Sequence, residues 1–281
     1  MEKSPLNYTG GKYKLLPQIL PIFPKKINTF VDLFCGGCNV GINVKNANKV
    51  ILNDNLTYLI DMYTAFKNRD VIAHVENRIE KFNLTLTNTE GYNNLRDEYN
   101  SDSSDPLDLF VLIAYSFNHQ IRFNNSHKFN TSFGKSRSSF NSRMENNLIK
   151  FLDIIKKDDF YFTNIDFNDF DFSMINGEDF VYCDPPYLIT TGSYNDGKRG
   201  FKGWTELEEN QLLYKLDELN RRNIKFALSN VIEHKGKSNN ILKNWVENMG
   251  YKVHYMDINY ANSNYQTSSK GGSVEVLITN Y

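Results

Sequence analysis

Two rhythms of apolar residues alternate along the chain. Short blocks rich in aromatic and β-branched residues stop at polar or glycine-containing turns, and longer stretches repeat their apolar positions every three to four residues. Phe30–Phe34 is one such block, halted by Cys35-Gly36-Gly37-Cys38, after which a helical stretch is expected. Lys49–Leu52 is a second, ending at Asn53-Asp54. Helical spacing follows over 56–68 and 71–82, and again from Pro106 to Phe117, where an early proline forfeits no hydrogen bond. An Asn/Ser-rich stretch reaching about Met144 carries neither rhythm. Beyond it the pattern predicts a helix over Asn146–Lys157 and strands at Phe160–Thr163 and Phe180–Cys183. Thr205 with Glu208 three residues on forms a capping box for a helix to Arg221. Strand Ile224–Ser229, helix Ser238–Met249 and strands Lys252–Ile258 and Ser273–Thr279 complete the series.

Strand–helix alternation of this kind predicts an α/β fold on a doubly wound, mostly parallel sheet. The two strands close together at the end permit an antiparallel edge. Residues 59–145 interrupt the alternation and read as an inserted, mostly helical domain. The sheet domain is then split into 1–58 and 146–281.

Composition changes this picture little. Of 281 residues, 23% are charged and 40% hydrophobic, an ordinary globular balance. No apolar run approaches a membrane span, and the polar start MEKSPLNYTGGK is not a signal peptide, so a cytoplasmic protein is expected. The three cysteines are accordingly expected as reduced thiols. Net charge is −1, which by itself points to no nucleic-acid partner. Its distribution is less even: from His119 to Lys150 six Lys/Arg face the single Glu145, and residues 1–26 hold five lysines against Glu2. Such local patches suit phosphate contact better than the total suggests, although a solvated face has the same composition.

In a doubly wound sheet, ligands bind beyond the carboxyl ends of the strands. Three loops at such ends carry candidate chemistry. Phe34-Cys35-Gly36-Gly37 is glycine-rich and allows close backbone approach, but it lacks the G-x-G-x-x-G of dinucleotide sites. Asp54 stands about twenty residues on, where an acid can accept from both hydroxyls of a ribose. Asp184-Pro185-Pro186-Tyr187 closes the strand Phe180–Cys183. Its prolines stiffen the loop and leave carbonyls unpaired, presenting fixed acceptors beside an aromatic face. A nucleoside-type cofactor with a flat, amino-bearing substrate fits this set. Cys35-Gly-Gly-Cys38 also matches C-x-x-C, a redox pair or half a zinc site, but no second pair completes a zinc site. That reading explains neither Asp54 nor the tetrad.

The order Tyr8-Thr9-Gly10-Gly11-Lys12, Asp32-Leu-Phe-Cys-Gly-Gly37, Asn53-Asp54, an insertion and Asp184-Pro-Pro-Tyr187 resembles the Dam-type, D12 adenine-specific DNA methyltransferases, with the T-even bacteriophage branch as the expected neighbourhood. The likeness spans nearly the whole chain, including Phe133-Gly134-Lys135 and Leu228-Ser229-Asn230. It implies a Rossmann-like class I methyltransferase fold whose insertion carries a DNA-reading β-hairpin. It also implies S-adenosylmethionine as methyl donor, with no metal.

Under the resemblance, Asp184, the Pro185 carbonyl and Tyr187 act on an adenine flipped out of double-stranded DNA. Tyr8, Lys12, Asp32, Phe34, Cys35, Gly36, Gly37, Asp54, Asp166, Phe167 and Asp184 surround the cofactor. Phe117, Asn118, Gln120, Arg122 and Asn124, with Ser132, Lys135, Arg137 and Lys12, face the DNA. Arg122 and Lys12 stand where relatives read guanines, which implies GATC or a close variant. Gln120 and Ser132 depart from the apolar residues that meet the thymine methyl in relatives, and Ser136 departs from a phage-branch arginine. An RNA methyltransferase on the same fold, or a catalytically silent nucleic-acid-binding homologue, are the competing readings. The segment 195–203, with two basic pairs among glycines, reads as a lid or a phosphate clamp. A monomer is expected, with more than one copy able to share a DNA. The resemblance leaves open whether the chain serves a restriction system, a phage or a mobile element.

Overall fold

The computed structural model describes residues 1–101, 104–190, 203–257 and 272–281. Strands β1 (Ile27–Asp32), β2 (Ala47–Asn53), β3 (Phe160–Thr163), β4 (Phe180–Cys183), β5 (Lys225–His234), β6 (Lys237–Ser238), β7 (Lys252–Tyr255) and β8 (Val274–Thr279) form one sheet. Its order is β3-β2-β1-β4-β5-β8-β7, with β6 pairing β5. β1 to β5 run parallel, while β8 lies antiparallel between β5 and β7. The expected antiparallel element is therefore an inner strand, and β7 is the edge.

The alternation of side chains along each strand explains why the sheet is buried on both faces. Phe30, Phe180, Tyr182 and Leu277 join one core, together with α2 (Thr57–Asn68) and α6 (Ser142–Ile155). Val31, Val181, Cys183, Val276 and Ile278 join the other, under α7 (Glu206–Arg221) and α8 (Asn240–Met249). The insertion adds α3 (Val71–Lys81), α4 (Thr89–Tyr99) and α5 (Pro106–Tyr115), which packs on α2, α3 and α4. Its apolar residues are continuous with the first core.

Most elements lie where the pattern puts them, and the departures have local causes. Only a turn of 3₁₀ helix, Gly41–Asn43, follows the glycine loop. Asn43 Nδ2 donates to the Asn39 carbonyl at 2.8 Å, the acceptor a regular helical turn would use, while the Oδ1 atoms of Asn39 and Asn43 accept from Ser4 N at 3.0 Å and Glu2 N at 2.7 Å. α4 has no counterpart in the sequence reading. Its polar, glycine-containing sequence hides a buried stripe of Tyr92, Leu95 and Tyr99, and Asn88 caps it by accepting from Gly91 N. β5 outruns its predicted end because β8 pairs with it as far as Glu233, past an irregularity after Val231.

Candidate active site

The chain winds outward from β1 to β2 and β3, then returns to β4 on the opposite side of β1. The loops after β1 and β4 therefore meet at a topological switch point, where such sheets bind ligands. Backbone bonds stitch this edge together: Leu33 N donates to Tyr182 O at 2.9 Å, and Cys35 N to Asn53 O at 2.7 Å. Buried Asn53 adds four side-chain bonds, donating to Leu33 O and Ile165 O and accepting from Ile165 N and the Thr163 hydroxyl.

The glycine loop has a physical reason for its composition within the protein itself. A β-carbon on Gly36, whose φ is +45°, would stand 2.7 Å from Tyr8 Cε1; one on Gly37 would stand 2.8 Å from Tyr8 Cβ. Tyr8 itself lies against the loop. Asp54 orders the same loop, accepting from Gly36 N through Oδ2 and from Leu56 N through Oδ1, both at 2.9 Å. A carboxylate oxygen accepts more than one hydrogen bond, so this duty is compatible with ribose binding. Tyr63 donates its hydroxyl to Gly36 O at 2.9 Å.

Cys35 and Cys38 are free and buried, and burial pushes both thiols up. A reactive dithiol needs the opposite shift, so redox chemistry is disfavoured here. Cys183 is buried likewise, its thiol pushed well up by burial. Phe34 and Phe167 lie 5.5 Å apart with Trp204 closing the triangle, 5.8 Å from Phe34 and 5.4 Å from Phe167. Asp166 turns its carboxylate back onto Asn168 N at 3.0 Å. Sequence reasoning missed Trp204. It also missed Glu209, which accepts from Trp204 Nε1 at 2.6 Å, Asn239 Nδ2 at 2.8 Å and Asn230 Nδ2 at 3.2 Å.

The tetrad forms the centre of the site. Lys12, itself buried, sets its ammonium 2.9 Å from Asp184 Oδ2 and 3.4 Å from Glu275 Oε1. It also donates to Gly10 O at 2.9 Å and lies 5.0 Å from the centre of the Tyr187 ring. The Tyr187 hydroxyl reaches Asp184 Oδ1 at 2.9 Å and Glu275 Oε1 at 3.2 Å. Burial holds the Asp184 carboxyl above its ordinary value; the Lys12 ammonium opposes that rise and the Glu275 charge adds to it. Asp32 is pushed well up, by burial first and then by the charge of Asp184. Its Oδ2 accepts from Gly41 N at 3.2 Å, and its Oδ1 is buried with no hydrogen-bond partner among the described residues. Glu275 had no signal in the sequence beyond being an acid in an apolar strand.

A family model for D12 class N6 adenine-specific DNA methyltransferases matches residues 8–262. The chain belongs to that family. Modification methylase StsI of Streptococcus sanguinis is 53% identical over 282 residues, which are 99% of this chain and 43% of that protein. Type II methyltransferase M.FokI of Planomicrobium okeanokoites is 51% identical with the same coverage, so the chain spans less than half the length of both relatives. The DNA N-6-adenine-methyltransferase of Escherichia phage P1 is 27% identical over 244 residues, 82% of this chain and 30% of that protein. The expected placement near a phage branch is thereby corrected toward restriction–modification methylases.

The predicted DNA-facing residues sit on an antiparallel segment at the far end of α5. It is not a regular hairpin: Phe117–His119 is a 3₁₀ turn, and pairing is limited to the isolated bridges Ser116–Phe133 and Phe123–Phe129. Side chains still alternate. Phe123, Phe129 and Thr131 are buried, while Phe117, Asn118, Gln120, Arg122, Ser132, Lys135 and Arg137 are exposed. Phe123 stacks on Tyr58 at 4.1 Å, which docks the segment on α2 and turns Arg122 outward. Arg137 lies over the ring of Phe117 at 5.1 Å. Two residues are placed differently from expectation. Asn124 spends its side-chain oxygen inside the turn, on Ser126 N and Lys128 N, and Lys12 is buried on Asp184 instead of facing solvent. Of segment 195–203, only Gly203 lies within the described residues.

Proposed function

We propose that this chain moves a methyl group from S-adenosylmethionine to the 6-amino nitrogen of an adenine in a short duplex DNA site, as the modification activity of a restriction–modification system. Family membership supports the chemistry, and the kinship with StsI and M.FokI supports the setting. The observation that carries the reading is the cluster of Asp184 and Tyr187 at the switch point, beside the glycine loop and Asp54.

The residues present fit the cofactor. Phe34, Phe167 and Trp204 offer an apolar aromatic wall for a purine, Asp54 an acceptor for ribose hydroxyls, and buried Asp32 Oδ1 an acceptor in want of a donor. When bound, S-adenosylmethionine supplies a methyl group already activated by its sulfonium. The protein's task is then positioning. Asp184 and the Pro185 carbonyl accept the two N–H bonds of the adenine amino group and turn its lone pair toward the methyl. As that nitrogen gains positive charge, the Asp184 carboxylate stabilises it in a site shielded from water; the donor leaves as the neutral thioether S-adenosylhomocysteine, and one of the two amino protons is released through Asp184. Tyr187 stacks on the base, offsetting part of the few kcal/mol that extrusion from the duplex costs.

Residues 59–145 serve in this proposal as the target-recognition domain between the two parts of the catalytic domain. Exposed Arg122 suits a bidentate grip on guanine, which supports GATC or a close variant. Gln120, Ser132, Lys135 and Arg137 complete a polar, basic face, and Phe117 is exposed enough to wedge between bases. The test is expression in a host lacking adenine methylation, followed by genome-wide mapping of modified adenines. One short motif is expected to be methylated, and Asp184→Ala is expected to abolish the signal while leaving cofactor binding in place. Methyl transfer to RNA alone, or none from the intact chain, would overturn the proposal.

A further inference from the structure

Both hydrogen-bond donors that hold Asp184 are shared with a second carboxylate. The Lys12 ammonium has Gly10 O, Asp184 Oδ2 and Glu275 Oε1 among its acceptors. The Tyr187 phenol has one proton and two acceptors, Asp184 Oδ1 at 2.9 Å and Glu275 Oε1 at 3.2 Å. Each oxygen of Asp184 is thus engaged within the protein. An adenine amino group therefore competes with these donors for the lone pairs of Asp184, and the carboxylate is most available to it when one of them swings aside. A buried ammonium or hydroxyl left without an acceptor is strongly unfavourable, so the release needs a receiver. Glu275 Oε1 is within reach of both donors before any movement. Its backbone cannot drift, because β8 pairs with β5 and β7, Glu275 lies opposite Val231, and its carbonyl accepts from Met256 N at 2.9 Å.

We propose that Glu275 is a positioning residue that takes over Lys12 and the Tyr187 hydroxyl when an extruded adenine engages Asp184. It does not touch the base. It keeps the two donors satisfied, so that the carboxylate of Asp184 is freed without stranding a buried charge. The inference rests on the methyltransferase reading above, and it adds a residue from a strand about ninety positions beyond the tetrad.

The test uses the full chain and duplexes carrying 2-aminopurine at the adenine identified by mapping, whose fluorescence rises on extrusion. Glu275→Gln keeps the shape and one acceptor but not the charge; Glu275→Asp keeps the charge but shortens the reach. Both are expected to slow single-turnover methyl transfer about tenfold or more, the scale of one lost charge-assisted hydrogen bond. The 2-aminopurine signal is expected to fall with it, while cofactor affinity stays within about twofold and the thermal midpoint is retained. In a Lys12→Met background Glu275→Gln should cost less than in the intact chain, because one of the two donors to be received is gone; an acid acting independently of Lys12 would show additive losses. Unchanged transfer and extrusion in Glu275→Gln, or additive losses, would overturn the inference alone. An inactive wild-type chain would instead remove the functional reading beneath it.

Discussion

Replacing Gly36 by alanine separates two reasons for a glycine in this loop. Gly36 has φ +45°, and an added β-carbon would meet Tyr8 Cε1 at 2.7 Å. A left-handed conformation costs a non-glycine residue about 1–2 kcal/mol, and overpacking a filled site about 1–3 kcal/mol. Gly36→Ala is therefore expected to destabilise the cofactor-free protein by roughly 2–5 kcal/mol, read from the urea midpoint at constant slope. In a Tyr8→Ala background the ring is absent and only the backbone cost of about 1–2 kcal/mol should remain. Gly37→Ala supplies the control. Its β-carbon would stand 2.8 Å from Tyr8 Cβ, an atom alanine retains, so Tyr8→Ala should not relieve it. Equal cost of Gly36→Ala in both backgrounds would refute the packing account and leave the backbone conformation as the whole cause.

Four further outcomes are expected. The methyl-transfer rate should fall on acidification as Asp184 takes a proton, with a midpoint above the usual 3.8 because burial and Glu275 raise it; Glu275→Gln should move that midpoint down and Lys12→Met up, whatever happens to the amplitude. Because folded Asp184 and Asp32 hold protons more tightly than the unfolded chain, their stability contribution is present at low pH and is lost as pH rises from 3.8 through their raised values, so these two groups work against the usual gain in stability on leaving acid, and pH-dependent urea unfolding of Asp32→Asn should show that opposing slope reduced. Arg122→Ala should leave stability within about 0.5 kcal/mol but relax discrimination at one base by about 1–3 kcal/mol, whereas Phe123→Ala, buried and stacked on Tyr58, should cost about 3–5 kcal/mol of stability; equal effects on both readouts would contradict their alternation. Glu209→Ala strands the donors Trp204 Nε1, Asn230 Nδ2 and Asn239 Nδ2 and should lower stability by at least about 3 kcal/mol in urea; a loss under 1 kcal/mol would mean the network is not coupled.

What could be read from sequence depended on how local its physical cause was. β4 and its tetrad are legible because a buried strand ending in Asp-Pro-Pro-Tyr announces both itself and its chemistry within eight residues. The capping box of α7 is local too, Thr205 and Glu208 satisfying each other's backbone. α4 was invisible because burial by its neighbours, not helix propensity, holds its polar sequence. Gly36 and Gly37 were recognised as special for a different reason from the one the packing gives, since the contact with Tyr8 joins positions nearly thirty apart. The hairpin was read from a resemblance, and its strands are reduced to two bridges because the stacking of buried Phe123 on Tyr58 of α2, more than ladder bonds, holds it. Trp204, Glu209 and Glu275 carry no local signature.

The charge balance at the tetrad makes sense only when these distant residues are taken together. Burial and the neighbouring Asp184 raise the Asp32 carboxyl well above its ordinary value, and beside it the carboxylates of Asp184 and Glu275 face the ammonium of Lys12. Two negative charges against one positive give a buried site with a net unit of negative charge. Such a site repels a further anion and favours whatever becomes positive within it. A neutral adenine nitrogen that acquires positive charge during methyl transfer is stabilised more at the transition state than on binding, and that difference accelerates the step. Lys12 does not cancel this advantage. Its charge lets Asp184 stay ionised at a buried position, and a second acceptor can hold it aside when the base arrives. Removing Lys12 should therefore slow transfer chiefly at low pH, where Asp184 without its partner takes a proton first, and the loss should shrink as pH rises.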